Sequence, residues 1–377
     1  MGRLTLAALR IYIKTNWWSM FVQLYDLGWN SFFELNFEKY KNQGLLAMRI
    51  IRENREKYIA LCELGEYSCE ISGKFRFNTD TKSKYPAVGD WVVTSVIAND
   101  MKAIIQSVLP RKSVFSRKVA GLITEEQVIA ANIDIVFIIT GLDLNYNLRR
   151  IERFLTIAWE SKALPVVLLN KADLCPEAEL RKIEVESVAI GVDVYTLSAT
   201  QNVGIDILKK YIQRGKTIAF LGSSGVGKST IINALLGTEH LEVNEVSELG
   251  SRGRHTTTYR ELFILPNGGM IIDTPGMREL QVWGDVEGLK YVFDDIEKLS
   301  LNCRYRNCSH QNEPGCAVKE AISAGSLDPK RLESFLKMKR EFEYLEDRQT
   351  MKASAIEKAN WKKISKLTKN IKKNKLQ

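Results

Sequence analysis

At 377 residues and 42.9 kDa, with 45% hydrophobic and 26% charged residues, the chain is too long for one ordinary core and too apolar for wholesale disorder. Its formal charge of +9 favours an acidic partner and is concentrated: residues 351–377 hold nine lysines against one carboxylate, Glu357, a local +8. The most apolar N-terminal stretch (Trp17, Trp18, Phe21) is bracketed by Lys14 and Asp26, far short of the roughly 20 apolar residues of a membrane span, and the run after Arg3 breaks at Arg10 without a cleavage site. Six cysteines form no disulfide framework, and the clustering of three with a histidine points to metal in a reducing cytoplasm.

In chain order, residues 1–45 read as an aromatic-rich helical arm (Trp29, Phe32, Phe33, Phe37) that packs on something else. Residues 46–114 change to short β runs at 46–51, 58–64, 67–72, 88–97 and 101–108, separated by Gly65, Gly73 and Asn99-Asp100. Five such strands predict a small barrel; an oligonucleotide-binding type fits the size, and periodicity leaves an SH3-like one equally open. Over 115–289 the rhythm becomes buried strand then helix, with apolar runs at 133–140, 164–169, 192–197 and 217–221 and helical stretches at 148–160, 178–188 and 205–214. Runs at 261–265 and 270–273 flank the hairpin signal Pro266-Asn267-Gly268-Gly269. This predicts a doubly wound α/β domain. Residues 290–350 open with the Cys/His cluster and become helical, and 351–377 form a basic tail.

The sharpest motif is Gly222-Ser223-Ser224-Gly225-Val226-Gly227-Lys228-Ser229-Thr230, between the strand at 217–221 and a helix at 230–236. Glycines let successive N–H groups face one anion, the helix N-terminus adds positive potential, Lys228 reaches the β/γ-phosphates, and Ser229 offers a hydroxyl to Mg²⁺. Asn170-Lys171-Ala172-Asp173 follows the strand at 164–169. Asp173 can accept from N1–H and the 2-amino group of guanine, a donor pair that adenine lacks; Asn170 would tie this loop to the phosphate loop and Lys171 would lie over the base. Ser198-Ala199-Thr200 ends the next strand and supports that reading. Asp273-Thr274-Pro275-Gly276 places Asp273 to hold Mg²⁺ through water and the Gly276 N–H to sense the γ-phosphate. Gly253-Arg254-His255-Thr256-Thr257-Thr258 reads as a mobile segment carrying hydroxyls, of which Thr257 is expected to complete the Mg²⁺ shell. An ordinary GTPase has the phosphate loop first; here the base-reading motifs precede it, so the same sheet is opened at a different point in the chain.

Cys303-Arg304-Tyr305-Arg306-Asn307-Cys308-Ser309-His310, then Gly315-Cys316, supplies three thiolates and one imidazole within fourteen residues. Four such ligands suit a closed tetrahedral Zn²⁺, hence a structural site, while Cys62, Cys69 and Cys175 read as small buried hydrophobes.

Together the rotated motif order, the 253–258 segment, Asp273-Thr274-Pro275-Gly276-Met277-Arg278-Glu279 and the Cys/His cluster closely resemble the RsgA (YjeQ) family of circularly permuted GTPases acting in small ribosomal subunit maturation. The resemblance runs over about 46–345. It implies an N-terminal OB-type β-barrel, a central α/β circularly permuted P-loop GTPase domain and a C-terminal, mainly helical zinc-binding domain. It also implies GTP/GDP, Mg²⁺ and one structural Zn²⁺ as cofactors, weak hydrolysis stimulated by the small subunit, and contact with ribosomal RNA. Met277 stands where many GTPases carry a water-orienting Gln, and a hydrophobic residue there is usual in this family. His255 is the nearest candidate to position that water, so Lys228, Asp273 and His255 are the expected catalytic set. A cytoplasmic monomer off the membrane is expected. The alternative is a GTP-gated rRNA-binding scaffold with negligible turnover. An ATP-using enzyme is opposed by Asp173.

Overall fold

The computed structural model describes residues 22–54, 57–79, 81–97, 100–119, 125–236, 260–273 and 287–344. The threonine-bearing segment with His255 and Thr257, the stretch with Gly276 and Met277, and the lysine-rich tail lie outside them.

β1 (Leu46–Asn54), β2 (Lys57–Cys62), β3 (Gly65–Ile71), β4 (Trp91–Val96) and β5 (Lys102–Val108) close on themselves in the order β1-β2-β3-β5-β4-β1. All pairs are antiparallel except β3 with β5, where Ser68 faces Lys102. A parallel pair needs a crossover rather than a hairpin. Here the chain supplies it after β3 with a short helix (Gly73–Asn78), capped by the Ser72 hydroxyl accepting from Phe75 N–H. That closure decides for the oligonucleotide-binding type over the SH3-like one. Met48, Ile50, Ala60, Cys69, Val92 and Ile105 fill its centre.

The arm covers the outside of this barrel. Helix α1 (Ser31–Phe37) starts where the Asn30 side chain accepts from Phe32 N–H. Leu27, Trp29, Phe33 and Phe37 bury against Trp91, Val93 and Leu109, with the Trp29 and Trp91 rings edge to face at 4.7 Å. So β4 is apolar on both faces, one turned inward and one covered by the arm.

A hairpin follows, β6 (Val114–Val119) with β7 (Glu125–Ala131), which the sequence reading does not anticipate. Then come β8 (Ile135–Gly141), β9 (Leu164–Asn170), β10 (Asp193–Thr196), β11 (Thr217–Leu221), β12 (Arg260–Ile264) and β13 (Met270–Asp273). Their order is β10-β9-β8-β11-β13-β12, all parallel but β12. Helices α2 (Leu148–Glu160), α3 (Ala178–Glu186) and α4 (Lys228–Leu236) lie between them, while the helical expectation at 205–214 shortens to a 3-10 turn, Ile205–Lys210. The sheet is buried on both faces, with Val136, Ile138, Val167 and Leu221 on one and Phe137, Ile139, Leu168 and Ile218 on the other.

Barrel and sheet are hydrogen-bonded into one surface because β1 pairs with β12, Arg52 opposite Glu261 and Glu53 opposite Arg260. The C-terminal part comprises α5 (Glu287–Val292), α6 (Asp294–Ser300), α7 (Ala317–Ser323) and a helix over 329–344. Among the described residues no helix is long and apolar enough to cross a membrane.

Candidate nucleotide site and metal centre

β8, β9, β11 and β13 run parallel, so their carboxyl ends share one rim, where ligands of open α/β sheets bind. β11 ends at Leu221, and residues 222–227 curl into the start of α4. Two glycines are required there. A Cβ on Gly222 would stand 2.4 Å from the Ile139 carbonyl, and Gly227, at φ +95°, would drive one to 2.2 Å from Asn170 Nδ2. Lys228 Nζ donates to the Gly222 carbonyl at 2.7 Å and to that of Ser223.

Asn170 closes β9 and is 2% exposed. Its Nδ2 donates to the Val226 carbonyl at 2.8 Å, and its Oδ1 accepts from Ala199 N–H at 3.0 Å. One amide therefore ties the phosphate loop to both predicted base-reading segments. The Ala172 N–H donates to the Leu197 carbonyl at 3.1 Å, and the Ser198 hydroxyl lies 3.2 Å from that of Thr200. Asp173 is exposed in the 3-10 turn Ala172–Leu174. Asp273 ends β13 on the same rim; Ser229 and Thr230 are in the first turn of α4. Ser224 and Gly225 form the outer bend of the loop. Thus Asn170–Asp173, Ser198–Ala199, Gly222–Thr230 and Asp273 are brought together, while His255, Thr257 and Gly276 fall outside the described residues.

The sequence reading misses Asp143 and Arg150. Lys171, at φ +64°, holds an ion pair of 2.6 Å with Asp143. Burial pushes the Asp143 carboxyl up, but the Lys171 ammonium and the Asn145 N–H outweigh it and hold it below the ordinary aspartate value. Arg150 Nη1 donates to the Ser223 hydroxyl at 3.0 Å. A carboxylate two residues beyond a buried strand end was the only signal for Asp143, and none marked Arg150.

In the C-terminal part, Cys303, Cys308, His310 and Cys316 bring their ligand atoms within 4.8 Å of one another. Cys303 Sγ lies 3.9 Å from Cys316 Sγ and 3.7 Å from His310 Nδ1, and Cys316 Sγ lies 3.5 Å from Nδ1. Tetrahedral zinc with bonds of about 2.3 Å to sulfur and about 2.0 Å to nitrogen spaces its ligands at roughly 3.8 Å (S–S) and 3.5 Å (S–N), so the donor set fits such an ion. His310 adopts φ +59°, and the Glu313 carboxylate accepts from the N–H groups of Ser309, Gln311 and Asn312, which fixes the loop between the third and fourth ligands.

A phosphate loop on a parallel sheet, its strands visited in rotated order, beside a barrel and a Cys₃His module, defines a permuted P-loop nucleotide-binding protein. A sequence model of the RsgA GTPase family matches residues 108–283. The chain is 42% identical over 350 residues to the small ribosomal subunit biogenesis GTPase RsgA of Opitutus terrae, covering 90% of this chain and 95% of that one. With the protein of the same name from Syntrophotalea carbinolica it shares 43% over 325 residues, covering 84% and 88%. YjeQ from Thermotoga maritima superposes with TM-score 0.59 at 28% identity, over 79% of this chain and 98% of that one, and the circularly permuted GTPase YloQ with 0.57 at 25%, over 81% and 97%. The chain belongs to the RsgA family.

Proposed function

We propose that this protein is a GTPase that binds the small ribosomal subunit and hydrolyses GTP to drive or check its late maturation, with the subunit stimulating turnover. The observation that carries the guanine-nucleotide reading is the Asn170 amide, which makes one cleft of the phosphate loop and the two base-reading segments.

Within that cleft the N–H groups of Gly222–Ser229 cradle the phosphates, Lys228 neutralises the β/γ charge, and Thr230 continues the first helical turn. Asp173 reads guanine, Asn170, Ser198 and Ala199 brace its loop, Lys171 lies over the base, and Ala172 belongs to the same turn. Mg²⁺, when bound, would supply positive charge against that which develops on the phosphates during transfer. Ser229 and Thr257 would offer it hydroxyls and Asp273 a carboxylate, the Gly276 N–H would sense the γ-phosphate, and His255 would position the attacking water. Cys303, Cys308, His310 and Cys316 hold one structural Zn²⁺. Exposed Arg304 and Arg306 beside that centre, with the lysine-rich tail, favour phosphate contact with ribosomal RNA. The protein works as a monomer in the cytoplasm, away from membranes.

The test is GTP and ATP hydrolysis with and without purified small subunits across a salt series. Multiple turnovers of GTP, not ATP, that rise with subunits and fall with salt are expected. Equal use of both nucleotides, or turnover indifferent to subunits, would overturn the reading.

A further inference from the structure

The segment joining β8 to α2 belongs to no nucleotide motif, yet it touches both halves of the cleft. Gly141 is in register with Asn170, and the Leu142 N–H donates to the Asn170 carbonyl at 2.8 Å. Asp143 comes next. Its Oδ1 accepts from Asn145 N–H at 2.9 Å, which leaves Oδ2 for Lys171 Nζ at 2.6 Å. A Cβ on Gly141 would stand 2.8 Å from Asp143 Oδ1, so the glycine keeps room for the carboxylate. At the other end, Arg150 has its N–H capped by Asn147 Oδ1 at 3.0 Å. Its Nη1 reaches the Ser223 hydroxyl at 3.0 Å and the Asn145 carbonyl at 3.3 Å.

We propose that Asp143 and Arg150 are positioning residues for the guanine nucleotide, Asp143 aiming Lys171 over the base and Arg150 fixing the phosphate loop through Ser223. The proposal rests on Asn170–Asp173 and Gly222–Thr230 being the nucleotide site. A lysine stem has several rotatable bonds, and anchoring its ammonium in advance removes ordering that binding would otherwise demand. Ser223 matters for a second reason: its carbonyl accepts from the Lys228 ammonium and helps orient it. The Asp143–Lys171 pair is partly solvated, its side chains 21% and 22% exposed, a class of pair that holds little of a fold together. Its loss therefore shows in nucleotide kinetics and not in the unfolding of the nucleotide-free chain.

The experiment is stopped-flow release of a fluorescent GDP analogue from the full-length protein. Asp143→Asn and Arg150→Ala are each expected to speed release by about three- to tenfold, the range that one freed side chain allows. Asp143→Asn should add nothing in a Lys171→Met background, Arg150→Ala nothing in a Ser223→Ala background, and the nucleotide-free melting temperature should not move. Release at the unmodified rate, or effects that add in full to those of Lys171→Met and Ser223→Ala, would overturn the proposal. Asp173→Asn serves as the control: it should speed GDP release and shift preference toward xanthine nucleotides. If Asp173→Asn changes nothing, the site reading itself fails; if only Asp173→Asn has an effect, the proposal alone falls.

Discussion

Asn170 and Arg49 are both buried polar residues with their hydrogen bonds made to other segments. Replacing Asn170 by Ala strands the Val226 carbonyl and the Ala199 N–H in a buried place. The expected cost is about 1–3 kcal/mol of stability, with guanine-nucleotide affinity falling alongside; urea unfolding and equilibrium GDP binding measure the two. The tetrapeptide alone would read as a solvated turn; the sequence exposed this role because Ser198-Ala199-Thr200 ends the next strand and a phosphate loop follows in the same chain. Arg49 carried no such signal. In β1 it reads as one more strand cation, yet it is 1% exposed. It donates to the carbonyls of Leu27, Gly89 and Asn132 and to the Thr217 hydroxyl, joining arm, barrel and nucleotide sheet at one guanidinium. Burial pushes its pKa down to about 10, against the pull of Asp134 and Asp90, so it stays charged at neutral pH.

Helix α2 shows why an element legible from its period can still hide its purpose. Ile151, Phe154, Leu155 and Ala158 turn one face to the sheet, which the spacing predicts. Glu152 on another face looks like a solvated acid in the sequence, yet it is fully buried because the C-terminal helices cover it. Its Oε1 accepts from Arg331 Nη1 at 2.8 Å, while Arg331 also holds Asp295 at 2.6 Å and the Val292 carbonyl at 2.7 Å. Arg153 with Glu341 and Arg149 with Asp328 extend the contact along the helix. Removing Arg331 leaves buried Glu152 with Arg149 as its cation and takes from Asp295 its Arg331 contact. Arg331→Met is therefore expected to cost about 3–5 kcal/mol in the docking of residues 287–344. Hydrogen exchange should quicken there, with β8, β9 and β11 unchanged.

At the scale of the molecule, the junctions among the described residues that join arm, barrel and sheet include β1 against β12, Arg49 at the centre, and Asp26 with Arg214 between the arm and the turn before β11. The Arg214 guanidinium holds the Asp26 carboxyl below its ordinary 3.8, against burial, with the Gln23 N–H helping. A depressed acid means the unfolded chain takes the proton first as pH falls. The pair's contribution is thus complete above 3.8 and is lost below it, through the folded value. Asp26→Asn should flatten the acid limb of stability below about pH 4 while costing a constant amount at neutral pH, as urea midpoints at about pH 3 and pH 7 would record.

By itself the sequence determined the motifs of the candidate site: glycines where backbone must approach an anion, an Asn-Lys-Ala-Asp turn after a buried strand, and three thiolates with an imidazole at metal spacing. These are local patterns, and their physical meaning is carried by residues close in the chain. Tertiary structure alone decided the barrel type, through the parallel β3–β5 pair, and the fates of Arg49, Glu152, Asp143 and Arg150. A charged side chain reads as solvated until the fold shows what covers it, and the partners that decide these four, Thr217, Arg331, Lys171 and Ser223, lie 28 to 179 residues away along the chain.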